Sequence, residues 1–526
     1  MATVEACARL QGITLTLALV LCGCAAGPAR APATTAAATS APAPATPAPA
    51  TSLPAPAAAP VAAPAAAATS SSAASEAAPA AAPAARLEVP VEYYRLPNGL
   101  RVVLSRDASV PTATVAMYYH IGFRIEPRAR TGFAHLFEHL MFEETTNLAR
   151  GEADRIVIGN GGVANGSTRF DFTNYFEVVP SHVVEPVLWV QAERMRGLAL
   201  SAASLQNQKD VVKNEVRVNV LNRPYGGFPW LQLPQRANSN WYNAHNFYGE
   251  LKDIDAATLA DVRRFYDTYY VPANAVLVVA GDFEPVATRA WIERYFGPLA
   301  ARPAPAPPDV REPRQLAERH AADRDRLAPR PAVAYGYHLP ERNTPDWYAF
   351  GLLDQVLLQG EDSRLWQRLV KQRGYSDSVQ GGVNLLGNMF DYEGPMLWSL
   401  YLIHDATTSA AAITAELDAV VAELAATAVP AAELERARTK IRSALYDVAG
   451  SATRFGLADL LASFALFDDD PAKINRIEDE FRKVTPEQLR RVAAEYLQIA
   501  NRTVLTVSPG PPPQRRAATG GAGGRP

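Results

Sequence analysis

The spacing of apolar and polar residues predicts strands early in the chain and helices directly after them. Runs in which the two kinds of residue alternate predict strands at 92–96, 100–104, 114–119 and 168–179. Pro97-Asn98-Gly99 joins the first two runs and is typical of a β-hairpin turn. Apolar residues spaced three and four positions apart predict helices at 184–198 and 202–222.

A second copy of one pattern lies near the end of the chain. A helical run that begins at Thr258 is followed by Asn274 and an apolar stretch, and Thr485 and Asn501 keep the same spacing before another apolar stretch. Each copy predicts a helix capped by Thr, then a turn, then a buried strand. We interpret the repeat as a duplicated domain; chance similarity of amphipathic helices is the alternative.

Changes in composition set the expected bounds of the folded part. Residues 25–86 are mostly Ala, Pro, Thr and Ser and cannot bury enough apolar surface to fold, so they predict a disordered, extended tether. The tail at 509–526 is rich in Gly, Pro and Arg and is also predicted to be disordered. Residues 302–330, rich in Pro, Arg and Asp, predict a linker between a first domain at 87–301 and a second at 331–508.

The first segment has the features of an export signal. Residues 13–21 form an apolar run that is too short to span a bilayer but suits a signal-peptide core. The following Leu21-Cys22-Gly23-Cys24 resembles a bacterial lipoprotein box, which implies a signal peptide at 1–24 and a lipid on Cys24. Because Ala25 and not Asp follows, the resemblance implies the periplasm and the outer membrane of a Gram-negative bacterium, with membrane contact through the lipid anchor only. The alternative is a short buried N-terminal segment.

Cysteine positions and net charge exclude several classes of site. All three cysteines lie in the N-terminal segment, at Cys7, Cys22 and Cys24. The body of the chain therefore has no disulfide, thiol nucleophile or cysteine-based zinc site. A net charge of −3 gives no basis for nucleic-acid binding.

Residues 135–139, His-Leu-Phe-Glu-His, carry the candidate chemistry. A spacing of four residues puts His135 and His139 one above the other on a helix, where both rings can bind one ion. Glu138 falls on the same side, within reach of a water on that ion. The order His-x-x-Glu-His is the inverted form of the common zinc-protease motif. The flanking residues are apolar, so the trio is predicted to be buried, where a metal would satisfy it; a hydrogen-bonded cluster without metal is the alternative.

Two histidines leave a catalytic zinc short of one protein ligand, and two His with one carboxylate form a common set. The residues alone leave that carboxylate open among Glu143, Glu177, Glu193, Asp210 and Glu215. The second copy has no His-x-x-Glu-His, and its comparable helix near 350–358 carries Leu, Asp, Gln and Val. The chemistry is therefore expected in the first domain only.

Three segments resemble the pitrilysin/insulinase family of inverted-motif zinc peptidases, which includes the mitochondrial processing peptidase. They are 132–142, 161–175 and 208–226, and the resemblance extends over about 88–508. It implies an α+β fold of two homologous domains, each a mostly antiparallel sheet with helices packed on one face. It also implies one Zn²⁺ per chain and a zinc-dependent peptidase that hydrolyses peptides or unfolded polypeptides with metal-activated water.

The resemblance assigns roles to individual residues. It makes Glu215 the third zinc ligand beside His135 and His139, and Glu138 the base that takes the proton of the water. Many family members carry an acid at the position of Gln208, where an amide could orient a ligand by hydrogen bonding. Family members hold the peptide as an added strand on the first sheet, and the matching strand begins at Asn165, whose alternative role is that of a turn residue.

The resemblance also implies a partner. Family enzymes enclose their substrate between four such domains, so a two-domain chain implies a second chain, either in a homodimer or as a zinc-free homologous partner. Residues 395–402 lack the Arg that the family places opposite the zinc. Two alternatives remain: a non-catalytic partner or peptide-binding subunit with the same fold, and a zinc hydrolase that acts on a non-peptide substrate.

Overall fold

Two β-sheets organise residues 86–510, the part of the chain that the computed structural model describes. The predicted signal peptide, the lipidated Cys24, the tether up to residue 85 and the tail from residue 511 lie outside the described residues. From Leu87 onward the described residues belong to one compact unit, so the domain bound at 301 stays a prediction.

The first sheet has six strands in the order β1-β2-β6-β3-β5-β4. Its strands are β1 Glu92–Arg95, β2 Arg101–Arg106, β3 Thr112–Tyr119, β4 Val163–Thr168, β5 Thr173–Pro180 and β6 Ala275–Gly281. β2 and β6 run parallel, and the other neighbours are antiparallel. β4 therefore forms one edge of this sheet.

The second sheet repeats this topology with five strands in the order β7-β11-β8-β10-β9. Its strands are β7 Arg319–Asp325, β8 Ala332–His338, β9 Gln380–Val383, β10 Leu397–Ile403 and β11 Arg502–Pro509. β7 and β11 run parallel and the other pairs antiparallel, as in β2-β6-β3-β5-β4. The predicted fold class, two homologous and mostly antiparallel sheets with helices, is confirmed.

Helices connect and cover the strands. In the first half they span Phe133–Leu140, Glu152–Val157, Val184–Arg196, Ala202–Val216, Gln232–Ala237, Trp241–Ala244, Leu251–Ala256, Leu259–Tyr269 and Pro285–Phe296. In the second half they span Pro345–Leu357, Ala410–Ala426, Ala431–Gly450, Phe455–Phe467, Ile477–Lys483 and Pro486–Tyr496. A π-helical turn at Arg217–Leu221 directly continues helix Ala202–Val216, and a second one spans Trp366–Gln372. Among the helices of the described part, none combines the length and apolar content that a membrane span needs.

The repeated Thr and Asn residues play identical structural parts in the two halves. Thr258 and Thr485 cap their helices by accepting a hydrogen bond from a backbone N–H in the first turn. The side-chain amides of Asn274 and Asn501 each donate to the last residue of the preceding helix and to a residue at the end of β3 or β8. These matched contacts support the interpretation of the repeat as a duplication.

Each sheet is covered on its second face by a helix from the other half. Helix Phe455–Phe467 packs against β3 and β6 of the first sheet, where Ala116 and Val278 are fully buried. Helix Gln232–Ala237 packs against β8 and β11, and Gly336 leaves room there, since a Cβ would lie 3.2 Å from Leu233 Cδ2. Helices were expected on one face of each sheet. The second face of each sheet is covered by a helix that belongs to the other half of the chain.

Two sequence predictions about local structure were wrong. Residues 168–179 are not one strand, because β4 ends at Thr168 and the Arg169 N–H donates to the Phe172 carbonyl to close a hairpin turn. The turn residues continue the alternation of the flanking strands, so the pattern hides the break.

The segment at 302–330 is not linker throughout, because residues 319–325 form β7. β7 is an edge strand whose exposed positions are His320, Ala322 and Arg324. Charged residues are common on edge strands because they discourage pairing with other chains. The same composition is typical of a linker, and the sequence pattern does not separate the two.

Candidate metal centre

Two helices bring three metal-ligand side chains to one point. The histidine helix, Phe133–Leu140, carries His135 and His139, and the glutamate helix, Ala202–Val216, carries Glu215. The two Nε2 atoms lie 3.4 Å apart, and Glu215 Oε2 lies 3.5 Å from His135 Nε2 and 3.3 Å from His139 Nε2. Within residues 86–510 these three residues are the group of His, Cys, Asp and Glu that could hold a metal ion.

The three separations fit a tetrahedral zinc site. Zinc binds His nitrogen and carboxylate oxygen at about 2.0–2.2 Å, and the edges of such a tetrahedron are about 3.3–3.6 Å long. The measured 3.3, 3.4 and 3.5 Å therefore describe one face of that tetrahedron. Three protein donors with a fourth corner left for water or substrate are the arrangement of catalytic zinc sites.

The other four acidic residues that the sequence left open have partners of their own. Glu143 accepts a hydrogen bond from Gln208, Glu177 pairs with Arg194, Glu193 accepts from Asn147, and Asp210 accepts from Gln206. Glu215 is thus the acid that the structure brings to the histidines.

Burial and charge oppose each other at the centre. Burial raises the pKa of the Glu215 carboxyl, but hydrogen bonds and charge from both imidazoles outweigh it and hold that pKa well below its usual range. Burial lowers the pKa of His135, whereas the Glu215 hydrogen bond and the nearby carboxylates raise it above its usual value. The nearby carboxylates therefore favour a positive charge at His135, although this residue is only 3% exposed.

Glu138 lies on the same helix and faces the edge strand β4. Its Oε2 accepts a hydrogen bond from Thr168 Oγ1 at 2.7 Å, and Thr168 is the last residue of β4. Gly166 lies opposite the Glu138 side chain, and a Cβ at position 166 would be 3.3 Å from Glu138 Cγ. The candidate base therefore lies directly beside a sheet edge.

Local sequence explains how the histidine helix begins. Gly132 has a φ of +81°, and a Cβ there would lie 2.4 Å from the Tyr248 carbonyl oxygen, so only glycine fits. The buried carboxylate of Glu126 accepts hydrogen bonds from the Gly132 and Ala134 N–H groups. Burial raises the pKa of the Glu126 carboxyl, whereas these two hydrogen bonds lower it, and the positive end of the helix dipole favours its ionised form.

Sequence reasoning missed Tyr248, Thr168 and Glu126. Tyr248 Oη donates to Glu215 Oε1 at 3.2 Å across 33 residues of chain, and no local pattern signals such a contact. The alternation around Thr168 predicts only a strand residue there. Glu126 lies shortly before Gly132, where the histidine helix starts. This position could have indicated its role, because acidic side chains near a helix N-terminus stabilise the helix.

The structure shows the contacts of two further predicted site residues, Gln208 and Asn165. Gln208 is buried and donates to Glu143, just beyond the histidine helix; among hydrogen bonds of the described residues, none joins it to Glu215. Its hydrogen bond to Glu143 therefore connects the glutamate helix with the segment that directly follows the histidine helix. Asn165 lies within β4, not in a turn, and its Oδ1 accepts from the Gly166 N–H at 2.8 Å. Its contact with substrate stays a prediction.

Known proteins resemble this chain over most of its length. The family model described as insulinase (peptidase family M16) matches residues 101–224, and the model described as peptidase M16 inactive domain matches residues 256–441. A protein named zinc protease PqqE from Helicobacter pylori is 28% identical over 426 residues, which are 80% of this chain and 93% of that protein.

Solved structures show the same fold. A protease from Helicobacter pylori matches with a TM-score of 0.74 and 27% identity over 80% of this chain and 100% of that one. A peptidase M16 inactive domain from Pseudomonas fluorescens matches with a TM-score of 0.70 and 19% identity over 80% of this chain and 98% of that one. With both family models matched in chain order, and with this fold, the chain belongs to the insulinase family, peptidase family M16.

Proposed function

We propose that this chain is a zinc-dependent peptidase that hydrolyses peptides or unfolded polypeptides. The observation that carries the proposal is the tetrahedral face formed by His135, His139 and Glu215, with Glu138 one residue before the second histidine. Relatives named zinc proteases support the choice of metal. When bound, zinc supplies a Lewis acid for the scissile carbonyl and lowers the pKa of a bound water.

Glu138 acts as general base and then as general acid. Its carboxylate takes the proton that the attacking water loses and returns it to the leaving amine. The hydrogen bond from Thr168 goes to Oε2, so Oε1 stays available to accept the proton of the water. Two neutral imidazoles and one carboxylate leave the zinc site with a net positive charge, which favours loss of that proton.

The edge of β4 is the proposed substrate surface. β4 is the last strand of the first sheet, and Gly166 and Thr168 within it face Glu138. A peptide that adds to this edge pairs through its backbone, so recognition depends on extended conformation more than on sequence. This supports unfolded chains as substrates, with Asn165 among the residues beside the peptide.

Assembly and location are parts of the proposal. We infer that a second two-domain chain, in a homodimer or as a zinc-free homologue, closes the space over β4. Anchoring by a lipid on Cys24 would place the peptidase in the periplasm at the outer membrane. Light scattering after size exclusion tests the first point, and metabolic labelling with a fatty acid, lost in Cys24→Ala, tests the second.

Metal content and cleavage measured on the same samples test the proposed activity. The full chain should contain one zinc and cleave an unfolded reporter peptide, and a chelator should abolish cleavage. Glu138→Gln should keep the zinc and lose cleavage, whereas Glu144→Gln, at an exposed position just after the histidine helix, should keep both. Zinc binding without cleavage in every oligomeric state would instead identify a non-catalytic subunit.

A further inference from the structure

Tyr248 touches two of the three residues of the metal centre and has no part in the proposed proton transfers. It lies in the loop between helices Trp241–Ala244 and Leu251–Ala256, and the residue is only 6% exposed. The ring meets the His135 ring edge-on, with centroids 5.0 Å apart and planes at 76°. The hydroxyl lies 3.2 Å from Glu215 Oε1.

The direction of this hydrogen bond follows from the groups involved. The Glu215 carboxylate can only accept, so the Tyr248 hydroxyl donates to it. The side chain of Asn219 also acts on the hydroxyl and lowers the pKa of the phenol, although burial raises that pKa more. Asn219 lies in the π-helical turn that continues the glutamate helix, and such turns are frequent at functional sites.

The two carboxylate oxygens of Glu215 have separate partners. Oε2 faces both imidazoles, and Oε1 faces the phenol. This division favours binding of a metal through one oxygen. Without the phenol, the Glu215 side chain, which is 24% exposed, could turn its carboxylate toward solvent. A fixed carboxylate loses less conformational entropy when the metal binds.

The position of Tyr248 is itself fixed from several sides. Its ring packs edge-on against Phe247 and Trp230, with centroids 4.9 and 5.9 Å away. Its carbonyl lies against Gly132, at the start of the histidine helix. One residue thus contacts the start of the histidine helix and the end of the glutamate helix, so it can hold their ligands at a set distance.

We propose that Tyr248 is a positioning residue that fixes Glu215 for one-oxygen binding of the metal and so sets the affinity of the centre. The inference rests on the proposed zinc site. A group that hydrogen-bonds a metal ligand without itself binding the metal typically contributes about 10–100-fold to metal affinity.

Tyr248→Phe removes only the hydroxyl and is the direct test. Zinc affinity of the full chain, measured by competition with a chromogenic chelator, should fall about 10–100-fold, while the zinc-free protein melts at the wild-type temperature. The visible absorption spectrum of the cobalt-loaded protein should change, because the carboxylate geometry changes. Tyr335→Phe removes a buried hydroxyl that bonds Thr414 in the second half, and it should leave zinc affinity and the cobalt spectrum unchanged.

Asn219→Ala tests the surroundings of the hydroxyl without altering the buried ring. It removes the Asn219 side chain that acts on the phenol and should weaken zinc binding by a smaller factor. Wild-type zinc affinity and cobalt spectra in both folded variants would overturn the role of Tyr248. Absence of zinc binding by the unaltered chain would instead overturn the proposed metal site, so the two failures are distinguishable.

Discussion

Thr168 Oγ1 donates a hydrogen bond to Glu138 Oε2 at 2.7 Å, which joins the end of the edge strand to the candidate base. The strand that would pair with substrate and the carboxylate that would move protons are thus directly connected. Because β4 lies at the edge of its sheet, this contact fixes the base relative to any peptide that adds there.

Thr168→Val keeps the shape of the side chain and removes the donor. A hydrogen bond to a charged group contributes about 1.5–3 kcal/mol, so we expect kcat/KM for an unfolded peptide to fall about 10–100-fold. Zinc content should not change, because Thr168 does not contact the metal ligands. Thr173→Val is the matched control, since Thr173 pairs with Thr168 across the hairpin turn but donates to the Ile121 carbonyl and not to Glu138. Equal peptidase activity of Thr168→Val and wild type, per bound zinc, would contradict an orienting role.

Gly166→Ala places a methyl group between β4 and the base. Its Cβ would lie 3.3 Å from Glu138 Cγ, 3.3 Å from Phe142 Cε2 and 3.1 Å from the Asn174 carbonyl oxygen. Glu138 must shift by a few tenths of an ångström, and since a 1 Å misplacement of a reacting group can cost about 100-fold, we expect a clear loss of kcat.

Gly159→Ala is the control for this substitution. Gly159 lies just before β4, and a Cβ there meets no atom within 4 Å. Its activity should match wild type in the same peptide assay. Unchanged kcat in Gly166→Ala would show that the base tolerates displacement or lies elsewhere.

The sequence predicted the local part of the site and left the distant part open. His135 and His139 are four residues apart on one helix, so their convergence follows from helix geometry. Glu215 comes from another helix, and its approach depends on how two helices pack, which residue spacing does not encode. The resemblance to a family selected Glu215, and the structure brings it to the histidines. Tyr248 lies in a loop, where no periodic pattern exists to reveal it.

The fold could be predicted where the spacing of apolar and polar residues matches the period of the helix or strand that forms. The Thr258 and Thr485 repeat indicated the duplication that the two sheets display. The strand at residues 319–325 was missed because it carries charges at an edge, and the turn at 169–172 was missed because it keeps the alternation of its neighbours. The exchange of helices between the halves depends on long-range packing and has no sequence signature.

Arg124 and Asp171 form a buried ion pair at the contact between the two halves. Arg124 Nε lies 2.7 Å from Asp171 Oδ1, and their side chains are 1% and 4% exposed. Arg124 also donates to the Pro395 carbonyl, and Asp171 accepts from the Glu393 N–H. Arg124→Met leaves a buried carboxylate without its cation, which costs about 3–5 kcal/mol of unfolding free energy.

Urea denaturation followed by tryptophan fluorescence measures this effect. The double variant Arg124→Met, Asp171→Asn removes both charges and should recover part of the loss. Arg128→Met, at an exposed Arg above the Trp241 ring, should change the free energy of unfolding by less than about 1 kcal/mol. A single variant as stable as wild type would show that the pair contributes no net stability.

Asp354 occupies the place in the second half that Glu138 occupies in the first. It lies on helix Pro345–Leu357 and faces Gly382 of β9, as Glu138 faces Gly166 of β4. Burial raises the pKa of Asp354 to about 7, although hydrogen bonds from Trp398 and Gln359 oppose the rise. The second half thus keeps an acid at this position without the histidines that would give it a catalytic partner.

The raised pKa makes the stability of this protein depend on pH. The folded protein holds the Asp354 proton up to about pH 7, whereas the unfolded chain releases it near pH 4. Folding therefore loses stability from this group as the pH rises from about 4 to about 7, and no more beyond that. Asp354→Asn stays neutral and can still accept the Trp398 hydrogen bond. We expect it to stabilise the protein at pH 8 by about 1–3 kcal/mol relative to its effect at pH 5.

Thermal or urea unfolding of wild type and variant at both pH values measures the difference of differences, in which other titrating groups cancel. Asp447→Asn, at an exposed position of helix Ala431–Gly450, is the control and should show the same small difference at pH 5 and pH 8. A gain from Asp354→Asn that does not grow between pH 5 and pH 8 would mean that Asp354 is already ionised in the folded protein at pH 5. Its burial beside Trp398 would then be compensated by hydrogen bonds alone.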